Sequence, residues 1–310
     1  MSQQQIAAQR SLKRRNQFRR NLPLYLMLLL PVLLLFIYNY IPMAGIVIAF
    51  QKFLPAKGVL GSKWVGLQNF KTLFGMPGFG RALCNTLTLS VWKIVLGVVV
   101  PVAFTLLLNE LGSSGFKRTV QTISYMPYFI SSVVVAGMVL SFLNADGILN
   151  QFLALFNVPP KAYNTLPKAF PIFYTVTCIW KSFGWGSILY LSTISSIDPG
   201  LYESAKIDGA NRLQRCWYLT LPHLSNLIII QLIFSIGGLL GSNTELILLL
   251  YVPATYSTAD VIGTYVYRDG LMGGRFSYGT AVGIFTSVIN FTLLYITNKI
   301  SSKVADYGIW

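Results

Sequence analysis

Apolar residues fall into six long runs, at about 22–50, 85–108, 120–143, 170–197, 221–250 and 277–299, separated by polar or glycine- and proline-rich segments. Runs near or above the roughly 20 residues that span a bilayer as a helix predict membrane helices. Pro31 and Pro42 interrupt the first, Met126-Pro127 the third, and Gly237, Gly238 and Gly241 crowd the centre of the fifth. Prolines are tolerated in membrane helices when neighbours re-satisfy the backbone. Two lysines, Lys93 and Lys181, lie inside apolar runs. In the 51–81 connection, Trp64–Phe70 predicts a short surface helix after a turn.

Composition agrees with the pattern. The chain is 54% hydrophobic and 11% charged, with a mean hydropathy of +0.59, where soluble domains carry about 25% charged residues. The expected architecture is all-α and integral to the membrane, with six transmembrane helices over 22–300. Net charge +15 does not point to nucleic acid, because many of the bases sit in the N-terminal tail and beside the runs, where they set orientation. The tail, 1–21, carries Arg10, Lys13, Arg14, Arg15, Arg19 and Arg20. The run after it is longer than a signal-peptide core and has no small-residue cleavage site near its end. The positive-inside rule therefore places the tail, read as a disordered or surface-lying segment, in the cytoplasm. Six crossings return the 301–310 tail to the same side.

Cys84, Cys178 and Cys216 have no metal spacing, and His223 is the single histidine, so no zinc site, disulfide framework or histidine-based triad is indicated. No P-loop, GxxxxGK[ST], is present, so the chain has no phosphate-binding loop of its own for ATP.

One polar stretch stands apart, 198–222, between the fourth and fifth runs. Asp198-Pro199-Gly200 stops the preceding helix, and Glu203–Arg215 then reads as a short amphipathic helix with Glu203 near its start. Asp208 and Arg212 stand at i,i+4, a pairing worth a few tenths of a kcal/mol. Ser204, Ala205, Gly209 and Ala210 are small enough to admit a close neighbour. The bland reading is a solvated loop. The spacing of Glu203-Ser204-Ala205, Gly209 and Leu219-x-Leu221-Pro222, however, resembles the EAA loop of ATP-binding-cassette import permeases. Ser204 stands for the first alanine and Leu219 for the usual isoleucine.

The resemblance extends along most of the chain: Tyr38-Asn-Tyr-Ile-Pro-Met43, Gly66-Leu-Gln-Asn-Phe70, Asn85-Thr86, Met126-Pro127, Asp260-Val-Ile-Gly-Thr-Tyr-Val-Tyr-Arg268 and Ala281-Val-Gly-Ile-Phe285. Together these resemble the carbohydrate-uptake permeases of the maltose type, and within them the subgroup importing complex oligosaccharides, uronate-containing ones included. The resemblance implies the MetI-like, type I importer fold and a multi-pass place in the bacterial inner membrane. It implies a second homologous permease, a dimeric cytoplasmic ATPase that binds ATP and magnesium, and an extracytoplasmic solute-binding protein. It assigns ATPase coupling to Glu203, Ser204, Ala205, Asp208 and Gly209, and no catalytic residue or cofactor to this chain.

Polar residues within membrane helices are costly and usually face a cavity. Lys181, Trp185, Ser192 and Ser196 share one face of the fourth run by their spacing. An aromatic face beside hydrogen-bonding groups suits a sugar, and Lys181 suits a carboxylated one; helix packing is the plain alternative for Trp185. Ser235, Ser242, Asn243 and Glu245 on the fifth run complete the candidate substrate site, by position relative to the EAA-type loop, although Glu245 could instead anchor the helix at the interface. Three readings compete: a proton-coupled secondary transporter, for which Glu245 is the one candidate intramembrane carboxylate; a permease for a non-sugar solute; and a structural membrane protein.

Overall fold

The computed structural model describes residues 3–241 and 243–304. They fall into two compact units, Met1–Asn69 and Phe70–Trp310.

In the first unit, α1 (Gln3–Leu35) runs unbroken from the basic tail into the first apolar run. The backbone expected to be disordered or surface-lying is therefore helical. A wider π turn, Phe36–Tyr40, follows, closed by Ile41 N–H donating to the Phe36 carbonyl. Pro42 comes just after; it has no N–H and its ring crowds the preceding turn. A two-stranded antiparallel hairpin, β1 (Gln51–Lys52) with β2 (Lys63–Trp64), was not foreseen. The Phe50 and Trp64 rings stack at 5.7 Å. The Gly66–Phe70 motif now has a physical account. Gly66 takes φ +59°, and Asn69 Nδ2 donates to the carbonyls of Ala49 (2.7 Å) and Gln51 (3.0 Å), tying the hairpin down.

The second unit is built from α2 (Pro77–Asn109), α3 (Ser114–Phe129), α4 (Ser132–Leu143), α5 (Phe170–Ser195), α6 (Pro199–Ile207), α7 (Arg212–Gly237), α8 (Thr244–Leu250) and α9 (Phe276–Val304). Helix α5 packs on α2 and α3, and α7 packs on α9. At the α3–α5 crossing Gly184 lies so close to the Ser124 carbonyl that no side chain fits between them. Phe170, Phe173 and Tyr174 of α5 form one core with Leu246, Ile247 and Leu250 of α8.

Two expected spans are broken. The third divides at Ile130-Ser131, where the Ser131 hydroxyl accepts from Val134 N–H and caps α4. The fifth divides after Gly237. There Asn290 Oδ1 accepts from Leu240 N–H (3.1 Å), and Asn243 Oδ1 accepts from Leu246 N–H (3.3 Å). Side chains thus satisfy backbone groups that the interrupted helix releases, as non-helical backbone at membrane depth requires. Among the described residues, five segments are long and apolar enough to cross a membrane: Arg20–Phe50, Pro77–Asn109, Ser132–Ala154, Arg212–Gly237 and Phe276–Lys303. The expected span at 170–197 forms α5, whose 26 residues have the length; Lys181, Ser182 and Ser187 lower its hydropathy.

A polar clasp joins α2 to the 256–268 segment. Asp260, 3% exposed, receives both Arg268 terminal nitrogens, at 3.1 and 2.7 Å. Thr264 Oγ1 donates to the same carboxylate at 2.7 Å. The hydrogen bonds to Asp260 push the Arg268 guanidinium above its ordinary pKa, against the opposing effect of burial. Asn85 Nδ2 donates to the Ser257 and Asp260 carbonyls, and Thr86 Oγ1 accepts from Ile262 N–H. Two motifs far apart in sequence, Asn85-Thr86 and Asp260–Arg268, are therefore halves of one contact.

Candidate functional site

An open cavity of about 690 Å³ lies among α2, α5, α7 and the break after α7. Lys93, Ser90, Tyr128, Lys181, Ser182, Ser235 and Asn243 give its wall a polar character, with Ile94, Ile179, Phe234 and Leu239 between them. The broken fifth run explains the opening: an uninterrupted helix would carry its backbone through 238–243, whereas the break turns Gly238 and Asn243 to the cavity. Irregular backbone at membrane depth is tolerated where it lines such a space.

Three of the sequence-derived substrate residues, Lys181, Ser235 and Asn243, meet here. Lys181 Nζ donates to Ser132 Oγ at 3.3 Å. Trp185 is not among the lining residues. Its ring stacks on Tyr128, 4.7 Å apart and 6° from parallel, and meets Phe129 edge-on at 5.5 Å. Tyr128 in turn lines the cavity. Glu245 is exposed in the first turn of α8 and is not among the lining residues, and Ser242 lies outside the described residues. Sequence reasoning missed Tyr128 and Ser90 and gave Lys93 no role. An apolar run shows which face a residue takes on its own helix and not which helix lies opposite.

The 198–222 stretch is two helices rather than one over Glu203–Arg215. Asp198 Oδ1 accepts from Gly200 N–H (2.9 Å) and Pro199 occupies the first helical position, so α6 begins earlier than expected. Glu203 consequently sits beyond the first turn, and Asp198 holds the N-cap. At the other end Ala210 N–H donates to the Ala205 carbonyl and Gly209 N–H to the Lys206 carbonyl. With Gly209 at φ +80° this is the Schellman arrangement that ends a helix. Asn211 and Gln214 then form a reciprocal capping box, at 2.9 and 2.8 Å, that starts α7. Both signals stood in the sequence, a glycine at the stop and Asn-x-x-Gln at the restart. The turn separates Asp208 from Arg212, whose Nε lies 3.8 Å from Glu110 instead, an exposed pairing worth little by itself.

The loop presents two shallow grooves. One, about 360 Å³, is lined by Ala205, Asp208, Gly209 and Arg215 among others; the second, about 370 Å³, by Glu203, Tyr202 and Lys206 among others. Arg215 Nε is buried and has no hydrogen-bond partner among the described residues. Ile207 and Leu213 are 86% and 72% exposed on either side of the turn. Large apolar side chains gathered on a polar loop mark an interaction surface. Tyr202 Oη lies 2.9 Å from Thr220 Oγ1, linking α6 to α7.

A polar cavity at a helix break, joined by packed helices to a folded loop with exposed apolar side chains, is the arrangement of a membrane transport subunit. The chain belongs to the family of binding-protein-dependent transport system inner membrane components, which matches residues 94–306. It is 39% identical over 288 residues, 93% of this chain and 90% of that protein, to the polygalacturonan/rhamnogalacturonan transport system permease protein YteP of Bacillus subtilis. It is also similar to a chain in the crystal structure of a bacterial ABC transporter involved in the import of the acidic polysaccharide alginate. That match has TM-score 0.86 and 40% identity, and covers 94% of this chain and 99% of that one. In the structure of a bacterial alginate ABC transporter in complex with an alginate pentasaccharide-bound periplasmic protein, the match has TM-score 0.87 and 39% identity, covering 95% and 99%. The helical permease fold expected from the motifs, and the carbohydrate-permease kinship, are both found.

Proposed function

We propose that this chain is the permease subunit of an ATP-driven importer and forms, with a second homologous permease, the path for an oligosaccharide. The cavity carries the reading. Sites for small organic ligands occupy about 300–1,000 Å³, mostly apolar with a few placed polar groups, and this one combines hydroxyls, an amide, two ammonium groups and the Tyr128 ring. The names of the relatives support a saccharide cargo. Lys181, Ser235 and Asn243 contact the sugar directly, and Trp185 holds the Tyr128 ring in place. A solute-binding protein on the outer side delivers the cargo.

The partner ATPase binds ATP and magnesium. One subunit of its dimer docks on 198–222, with Glu203, Ser204, Ala205, Asp208 and Gly209 shaping the contact. The exposed Ile207 and Leu213 and the unpartnered Arg215 Nε support a protein partner at this loop. Both termini and the loop then lie in the cytoplasm. Single cysteines placed near Lys13 and Arg212, after removal of Cys84, Cys178 and Cys216, should escape an impermeant maleimide added outside. Labelling of either from that side contradicts the orientation.

The cargo assignment is tested by Trp185→Ala. Losing an aromatic pair worth about 0.5–1.5 kcal/mol beyond its buried area frees the Tyr128 ring. Uptake of the imported oligosaccharide in proteoliposomes should show KM raised about fivefold, from that same range of energies, with the complex still assembled. Unchanged uptake at limiting and saturating sugar would return Trp185 and Tyr128 to a packing role.

A further inference from the structure

We infer that Lys93 and Lys181 form a two-cation site that reads the carboxylates of the transported saccharide, so that the cavity selects uronate-bearing oligosaccharides over neutral ones of equal length. This rests on the importer reading and deepens it.

Both lysines belong to the wall of the same cavity, from different helices. Lys93 stands near the middle of the 33-residue α2, and Lys181 near the middle of the 26-residue α5. Each is half-buried. A charged side chain at such a depth is costly and persists where it faces a partner or a water-filled path. Among the described residues neither has a protein counter-ion. Among those residues Lys93 has no hydrogen-bond or ion-pair partner, and Lys181 donates to the neutral Ser132 hydroxyl.

The described acids lie outside the cavity lining. Asp260 and Asp269 are engaged by Arg268, Glu110 faces Arg212, and Asp198 caps α6. Glu245 is exposed on α8, and no carboxylate lines the cavity among the described residues. Two like charges in a concave, low-dielectric wall focus a positive potential into it. The missing counter-charge is supplied by the cargo. A uronate oligomer carries a carboxylate on every ring, so one ion can replace another as the chain advances.

Lysine suits this task better than arginine. Its ammonium is a mobile point charge on a flexible stem and does not clamp a carboxylate in bidentate fashion. A transport path must bind well enough to admit and loosely enough to release. The neighbouring hydroxyls and the Tyr128 ring serve the sugar's neutral parts, leaving the charge to these two side chains.

The test uses the complete importer in proteoliposomes, with its own binding protein, and labelled trigalacturonate beside its carboxyl-reduced trimer. Lys93→Met and Lys181→Met should each lower trigalacturonate uptake about tenfold, the loss of one charge-assisted contact, and lower uptake of any reduced trimer by a clearly smaller factor. Lys93→Arg and Lys181→Arg should keep more uptake of the acid than the methionine variants but less than the wild type, separating charge from folding. Stimulated ATP hydrolysis reports assembly, and Lys161→Gln, in a loop outside the cavity, serves as a control. Methionine variants that import trigalacturonate at the wild-type rate, or lose both trimers equally, overturn the inference. A wild-type importer that accumulates the reduced trimer and rejects the acid overturns it too, yet leaves the oligosaccharide reading standing. One that accumulates no sugar defeats both.

Discussion

Arg268→Met is expected to destabilise the protein by about 3–5 kcal/mol, the cost of leaving a buried charge without its partner. Asp260 is the deeper member of the pair, with its side chain 5% exposed against 33% for Arg268. Removing the arginine strands a carboxylate that keeps only the Thr264 hydroxyl. Removing the carboxylate leaves a guanidinium that can still turn to water and to Asp269 at 3.2 Å. The two substitutions should therefore be unequal, with Asp260→Asn costing about 1–2 kcal/mol, within the range for an imperfectly replaced hydrogen bond. A double variant should recover part of the arginine loss, since the stranded charge is gone. Thermal unfolding in detergent, followed with co-purification of the partner subunits, measures all three. Equal effects of the two single substitutions would mean that the clasp is not held by its buried end.

The second large effect is expected at the turn between α6 and α7. Gly209→Val should lower hydrolysis stimulated by the sugar-loaded binding protein about tenfold, equivalent to about 1.4 kcal/mol. A Cβ at Gly209 would meet nothing within 4 Å, and the backbone there has φ +80°, so the fault is conformational. The left-handed backbone costs a residue with a Cβ about 1–2 kcal/mol, and a β-branched one is least able to adopt it. The helix stop then loosens and the docked surface shifts. Gly209→Asn should be tolerated, because asparagine also ends helices in this way. Glu203→Ala should weaken stimulation without altering the turn. Equal losses for valine and asparagine would point to the volume at 209, and retained stimulation in the valine variant would remove the loop from the coupling path. In the proposed coupling, two helices tied by caps and by the Tyr202–Thr220 contact would carry a displacement of the loop to α5 and α7, whose walls enclose the cavity. Packed interfaces of this kind switch between discrete arrangements.

Much of this was legible in the sequence, for reasons specific to each element. Long apolar runs mark helices because lipid leaves the backbone no other partner. The helix stop at Gly209 and restart at Asn211 were written locally as well, yet the charged positions from Glu203 to Arg215 suggested one amphipathic helix. The breaks at Ser131 and after Gly237 were harder. The residues around them are as apolar as those in intact helix, and the bonds that make a break tolerable come from afar, as from Asn290 to Leu240. The cavity was half visible. Lys181 could be placed by spacing, and Ser235 and Asn243 by position relative to the EAA-type loop, whereas Tyr128 enters from another helix and stacks on the face of Trp185 that the sequence offered to sugar. Asn85-Thr86 and Asp260–Arg268 could be recognised as motifs, but their mutual contact joins residues 175 positions apart.

Coupled, ATP-driven oligosaccharide uptake through this chain is tested most directly in proteoliposomes. They would contain both permeases and the ATPase, with the loaded binding protein outside and labelled oligosaccharide as cargo. One arm receives internal ATP and magnesium, the other an imposed pH gradient without nucleotide. Accumulation with ATP alone, abolished by Gly209→Val in this chain, is the expected result. Accumulation driven by the pH gradient in the absence of ATP would contradict it and make the protein a proton-coupled transporter.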